Sequence, residues 1–102
     1  MAKDFHAVAH ADEIEPGTLT CVRVAEQDLA LARVGDELYA FQGHCLHLSG
    51  PLCQGRLHGY VLSCPWHGWQ YDVRTGENEF DRAIQLETYD VQVDDGEVRV
   101  AI

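Results

Sequence analysis

Apolar and polar residues alternate along this chain with a short period, and no stretch sustains the spacing of an amphipathic helix. Residues 18–24 read Thr-Leu-Thr-Cys-Val-Arg-Val and 28–34 read Asp-Leu-Ala-Leu-Ala-Arg-Val, both close to the alternation of half-buried strands. Gly35-Asp36 leads from the second run into residues 37–41, which predicts a hairpin. Residues 88–93 and 97–102 flank Asp94-Asp95-Gly96, and Asp-Gly supplies the left-handed backbone that a tight turn needs. Residues 59–63 and 69–73 are shorter strand candidates, the second ending at Arg74-Thr75-Gly76. Short strands at this spacing predict an all-β domain, a small antiparallel β-sandwich or barrel. The 102 residues suit one domain spanning 1–102.

Charge narrows the partners. Seventeen acids against seven bases give a net charge of −10. Non-specific nucleic-acid binding needs clustered Lys and Arg to displace phosphate counterions, so the charge argues against that class. No apolar run approaches the ~18 residues that span a bilayer. Met1-Ala2-Lys3-Asp4-Phe5 has no apolar core of a secretory signal. A cytoplasmic monomer without membrane attachment is expected. Four cysteines in a reducing compartment point to metal binding before a disulfide framework.

The middle of the chain differs from its flanks. Residues 38–71 contain no Asp or Glu, and Arg56 is their only basic residue other than histidine. Residues 77–97 hold eight acids against Arg82 alone. The central stretch also carries five glycines, three cysteines and four of the six histidines. It reads as loops built around something, inserted into the β framework at about residues 43–76.

Within it stand Cys45-Leu46-His47 and, after sixteen intervening residues, Cys64-Pro65-Trp66-His67. Each segment offers one thiolate and one imidazole. Zinc takes Cys₂His₂ sets, but its finger sites usually pair like with like on a knuckle and a helix. Mixed loops suit two inequivalent metals, one holding both sulfurs and the other both nitrogens, as in a [2Fe–2S] centre with His₂ on one iron.

Cys45-x-His47 followed by Cys64-x-x-His67-Gly68 resembles the Rieske iron–sulfur motif. The run from Cys64 through Asp72 to Thr75-Gly76 is similar to the version in ferredoxins of aromatic-ring dioxygenase systems. The resemblance implies a Rieske fold, a β framework with an inserted two-loop cluster-binding subdomain, carrying one [2Fe–2S] cluster per chain. It implies that Cys45 and Cys64 hold the inner iron and His47 and His67 the outer one. Respiratory and photosynthetic members add a disulfide between the loops; the matching positions here are Gly50 and Trp66, so that bridge cannot form. They also place a serine where this chain has Trp69. Fewer donors to the sulfurs predict a potential nearer roughly −150 mV than roughly +300 mV. Tyr71 acts the other way if its hydroxyl points inward.

The resemblance further implies a one-electron carrier rather than an enzyme. It would accept electrons from an NAD(P)H-dependent flavoprotein ferredoxin reductase and deliver them to a terminal Rieske non-haem iron oxygenase. The Rieske-like small subunit of an assimilatory nitrite reductase is an alternative, and a zinc-stabilised interaction module a more distant one. Leu46, Leu48, Pro51, Leu52 and Trp66 are expected to line an apolar docking tip around the imidazoles, with the acidic remainder steering approach. Cys21 is expected to be a buried small hydrophobe, Cys53 a packed thiol, and His44 solvated.

Overall fold

The computed structural model describes residues 4–45, 50–66 and 68–102. Ten strands occur among them: β1 (Phe5–His10), β2 (Leu19–Val24), β3 (Gln27–Val34), β4 (Glu37–Gln42), β5 (Arg56–His58), β6 (Val61–Ser63), β7 (Gln70–Asp72), β8 (Thr88–Tyr89), β9 (Val91–Asp94) and β10 (Glu97–Ala101). Two 3₁₀ turns, Ala11–Glu13 and Leu52–Gln54, are the only helical pieces described. The all-β expectation is met.

Among the described residues three antiparallel sheets form, in the orders β1-β10-β9, β2-β3-β4-β8 and β5-β6-β7. The second is the organiser, because β3 is buried on both faces. Leu29 and Leu31 point one way and meet Ala40, Ile14, Val98 and Val100 in a core against the first sheet. Ala30 and Ala32 point the other way and meet Phe41, Leu62, Tyr71, Val73, Leu52, Cys45 and Cys64. Side chains two apart on a strand share a face, so the Leu-Ala-Leu-Ala run supplies bulk to one core and close approach to the other. The second core carries the cysteines.

Turn chemistry accounts for the β9–β10 and β3–β4 hairpins but not for β2–β3. Asp95 and Gly96 link β9 to β10 with φ of 51° and 82°, as a type I′ turn requires. Gly35 opens the β3–β4 turn at φ 60°. Between β2 and β3, however, Ala25 and Glu26 adopt φ of 49° and 67° with no glycine to relieve the Cβ. Tight pairing of Val24 with Gln27 imposes that geometry. Residues 88–93 form two strands rather than one, broken at Asp90, whose carbonyl accepts the Ala101 N–H at 3.0 Å. Strands β1 and β5 have no counterpart among the sequence-based expectations.

Candidate metal centre

Cys45 follows β4 and Cys64 follows β6, both on the core face that Ala30, Ala32 and Phe41 build. Each is 3% exposed. Backbone bonds fix both: the Cys45 N–H donates to the Gly50 carbonyl at 2.8 Å, and the Cys64 N–H to the Trp69 carbonyl at 2.7 Å. His47 and His67, with Leu46, Leu48 and Ser49, lie outside the described residues.

The two thiols are neighbours. Burial pushes the Cys64 thiol above its ordinary pKa, and the adjacent Cys45 adds to that, while the Trp66 N–H bonding its sulfur works in the opposite direction. A pair of desolvated thiols side by side is a poor place for anions unless a cation neutralises them. The donor set therefore suits a thiophilic metal group, with soft sulfurs already converging. The cradle is tight: a Cβ at Gly50 would come within 2.9 Å of the Cys64 sulfur and 3.1 Å of the Trp66 ring.

Tyr71 closes the site from below. It is fully buried on β7, and its hydroxyl lies 3.2 Å from the Cys45 sulfur. Toward a thiolate only the hydroxyl can donate, so Tyr71 places a hydrogen bond on an inner-iron ligand candidate. The inward placement left open by the sequence is thus observed.

Around the centre the expected apolar tip is partly realised. Trp66 is 47% exposed and Pro51 is half-buried. Leu52 is fully buried and belongs to the core, because its N–H reaches the Gly43 carbonyl at 2.9 Å and turns the side chain inward. His44 is exposed, as expected.

Two features escaped the sequence reading. Asn78, 1% exposed, organises the long loop after β7: its side-chain carbonyl accepts the Phe80 and Asp81 N–H groups at 2.8 and 3.1 Å. An Asx turn leaves no signal beyond a single Asn. The second concerns Cys21, which is exposed rather than buried and is joined sulfur to sulfur with Cys53 across 32 residues, Cα atoms 5.3 Å apart. Cys21 pairs across the sheet with Ala30, so it faces the cluster-binding side and not the Leu29 core. Val22 and Val24 occupy the opposite face, which is why alternation alone misplaced it.

Comparisons with known proteins agree with this geometry. The model of the Rieske [2Fe–2S] domain matches residues 4–90. Ferredoxin CarAc of Metapseudomonas resinovorans is 40% identical over 96 residues, covering 92% of this chain and 90% of that protein. The solved ferredoxin of carbazole 1,9a-dioxygenase from Nocardioides aromaticivorans IC177 superposes with a TM-score of 0.89 at 33% identity, covering 95% of this chain and 96% of the other. A ferredoxin solved in a complex of reduced oxygenase and oxidised ferredoxin in carbazole 1,9a-dioxygenase gives 0.87 at 38% identity, covering 95% and 92%. With most of its length matched, and buried paired thiols where the motif sets them, the chain belongs to the Rieske [2Fe–2S] family.

Proposed function

We propose that this protein is a one-electron carrier that passes electrons from an NAD(P)H-dependent flavoprotein reductase to a terminal Rieske non-haem iron oxygenase in the cytoplasm. One observation carries the reading: two buried cysteines, adjacent and hydrogen-bonded by Trp66 N–H and the Tyr71 hydroxyl, sit in the loops that hold Cys-x-His and Cys-x-x-His. Cys45 and Cys64 hold the sulfur-ligated iron, and His47 and His67 the other. The bound [2Fe–2S] group supplies a single-electron redox centre. The chain supplies the desolvated sulfur pocket, the Tyr71 donor and an outer face at Trp66 for close approach. Residues 43–76 act as the cluster-binding part of a single domain. The oxygenase partner is supported by the relative solved with one, and carrier rather than enzyme by the relatives' names as ferredoxins. Those names also favour this reading over a nitrite reductase subunit.

Replacing His47 or His67 with serine tests it. Each variant should purify with less iron per chain and without the mixed-ligand paramagnetic signal of the reduced protein. Wild-type iron content and spectrum in both variants would overturn the ligand set, and zinc without iron in the native protein would overturn the carrier.

A further inference from the structure

We propose that Cys21 and Cys53 form a reversible thiol–disulfide site, exchanging with small-molecule disulfides such as oxidised glutathione, whose closed form fastens the cluster-binding loop to the β framework. The proposal takes the carrier reading above as its setting, including a compartment where a lasting structural disulfide is unusual and exchangeable ones are the rule.

Three observations carry it. First, the pair is within reach, since the Cα separation of 5.3 Å falls inside the range disulfides use. Cys21 projects from β2, an edge strand of the central sheet. Cys53 projects from the 3₁₀ turn Leu52–Gln54. Second, the pair is reachable. Both sulfur residues line an open recess of about 300 Å³ shared with Arg23, Asp28, His44 and Pro51. Accessible disulfides are the labile ones, because an attacking thiolate must approach along the S–S axis. Third, the turn that carries Cys53 is laced to the first cysteine of the metal centre. Leu52 N–H donates to the Gly43 carbonyl, Cys45 N–H donates to the Gly50 carbonyl, and His44 bridges Pro51. A bond at Cys53 therefore restrains the segment that holds Cys45 in place.

The chemistry balances without further reagents. One cysteine thiolate attacks oxidised glutathione, forming a mixed disulfide and releasing one glutathione thiolate. The second cysteine then attacks the protein sulfur of that mixed disulfide and releases the other. Two protein thiols become one disulfide, and two electrons and two protons end on two molecules of glutathione. Excess reduced glutathione reverses both steps. Closure ties off a loop spanning β3, β4 and the first ligand segment, which limits the excursions through which metal escapes.

The test equilibrates the intact holoprotein across a series of reduced-to-oxidised glutathione ratios, quenches with acid and N-ethylmaleimide, and maps adducts by mass. Cys21 and Cys53 should gain two adducts together at the reducing end and none at the oxidising end, with a single-glutathione adduct between. Adducts on both residues at every ratio, or on neither at every ratio, would each overturn exchange. Unquenched portions of the same equilibrations, placed in an iron chelator, should lose cluster absorbance at least about threefold more slowly at the oxidising end. Cys21→Ser should lose that dependence, and Cys53→Ala serves where Cys21→Ser does not fold. A rate that ignores the ratio in wild type, or follows it equally in the variant, would overturn the fastening. Adduct masses are read on the chain whether or not iron is bound, so missing iron would tell against the carrier reading and missing adduct changes against this one.

Discussion

Tyr71 is a buried side chain outside the proposed ligand set whose hydroxyl faces the centre. Its hydroxyl lies 3.2 Å from the Cys45 sulfur, both residues buried, and is the donor once that sulfur is a thiolate. Reduction adds negative charge to the sulfurs, so a donor there favours the reduced form. A net hydrogen bond is worth about 1 kcal/mol, and a tenfold change in equilibrium is about 59 mV for one electron, so Tyr71→Phe should lower the potential by roughly 40 mV. Protein-film voltammetry checks this, and an unchanged potential would remove Tyr71 from the tuning. The ring is kept by Phe, so the core that buries it should hold. Gly50 makes the complementary steric case. Gly50→Ala sets a methyl 2.9 Å from the Cys64 sulfur, closer than real Cβ contacts allow, and either the sulfur or Trp66 must move. Iron per chain should fall well below wild type while strand content by circular dichroism persists; full occupancy would show that the loop yields without cost. The two cysteines and their loops were legible in the sequence because ligand spacing is local. The Tyr71 contact and the Cys21–Cys53 pair were not, since each joins residues 26 and 32 apart in the chain and depends on which faces of the sheet meet.

Strands and turns show why alternation predicted most of the framework and where it failed. β2, β3, β4, β9 and β10 have enough alternating apolar residues for their period to declare itself. β1 carries Phe-His-Ala-Val-Ala-His, whose small residues leave little contrast, and it exists as a strand because β10 offers it backbone partners from Phe5↔Ala101 to His10↔Glu97. β5 has Leu57 as its one apolar residue and is held by β6. In both, distant pairing decides what composition does not. The β2–β3 turn is the element where local preference and fold conflict. Ala25 and Glu26 both sit at positive φ, which costs about 1–2 kcal/mol for an ordinary residue. Replacing them with Asn-Gly relieves that strain while loosening the unfolded chain, leaving a net gain of about 1 kcal/mol. The double variant should melt about 4–8 °C higher. A lower melting temperature by calorimetry would mean that the native side chains hold the turn in some other way.

At the scale of the whole molecule, the acids and the ligand loops occupy different stretches of the chain. The net charge is −10, yet residues 38–71 carry no carboxylate, and exposed acids such as Asp90, Asp94 and Asp95 stand toward the C-terminal strands. Carboxylates on the ligand loops would oppose the negative charge that reduction adds, so a ligand segment without them favours the reduced form. Exposed on the surface, those acids still act on an approaching partner. The molecule measures 36 × 32 × 20 Å, comparable to the Debye length of about 30 Å at 0.01 M salt and far larger than about 8 Å at 0.15 M. At low salt the whole acidic surface should therefore pull a basic docking face toward the protein, whereas at physiological salt only the acids near the contact act. For a partner with a basic face, stopped-flow electron transfer should slow by about tenfold between 10 and 150 mM salt, through the second-order association rate rather than the first-order transfer step. Neutralising Asp94 and Asp95 to Asn should flatten that dependence without moving the potential, because both lie outside the cluster-binding part. A rate indifferent to ionic strength would reduce the acidic surface to a device for solubility and leave the apolar contact at Trp66 to find the partner by itself.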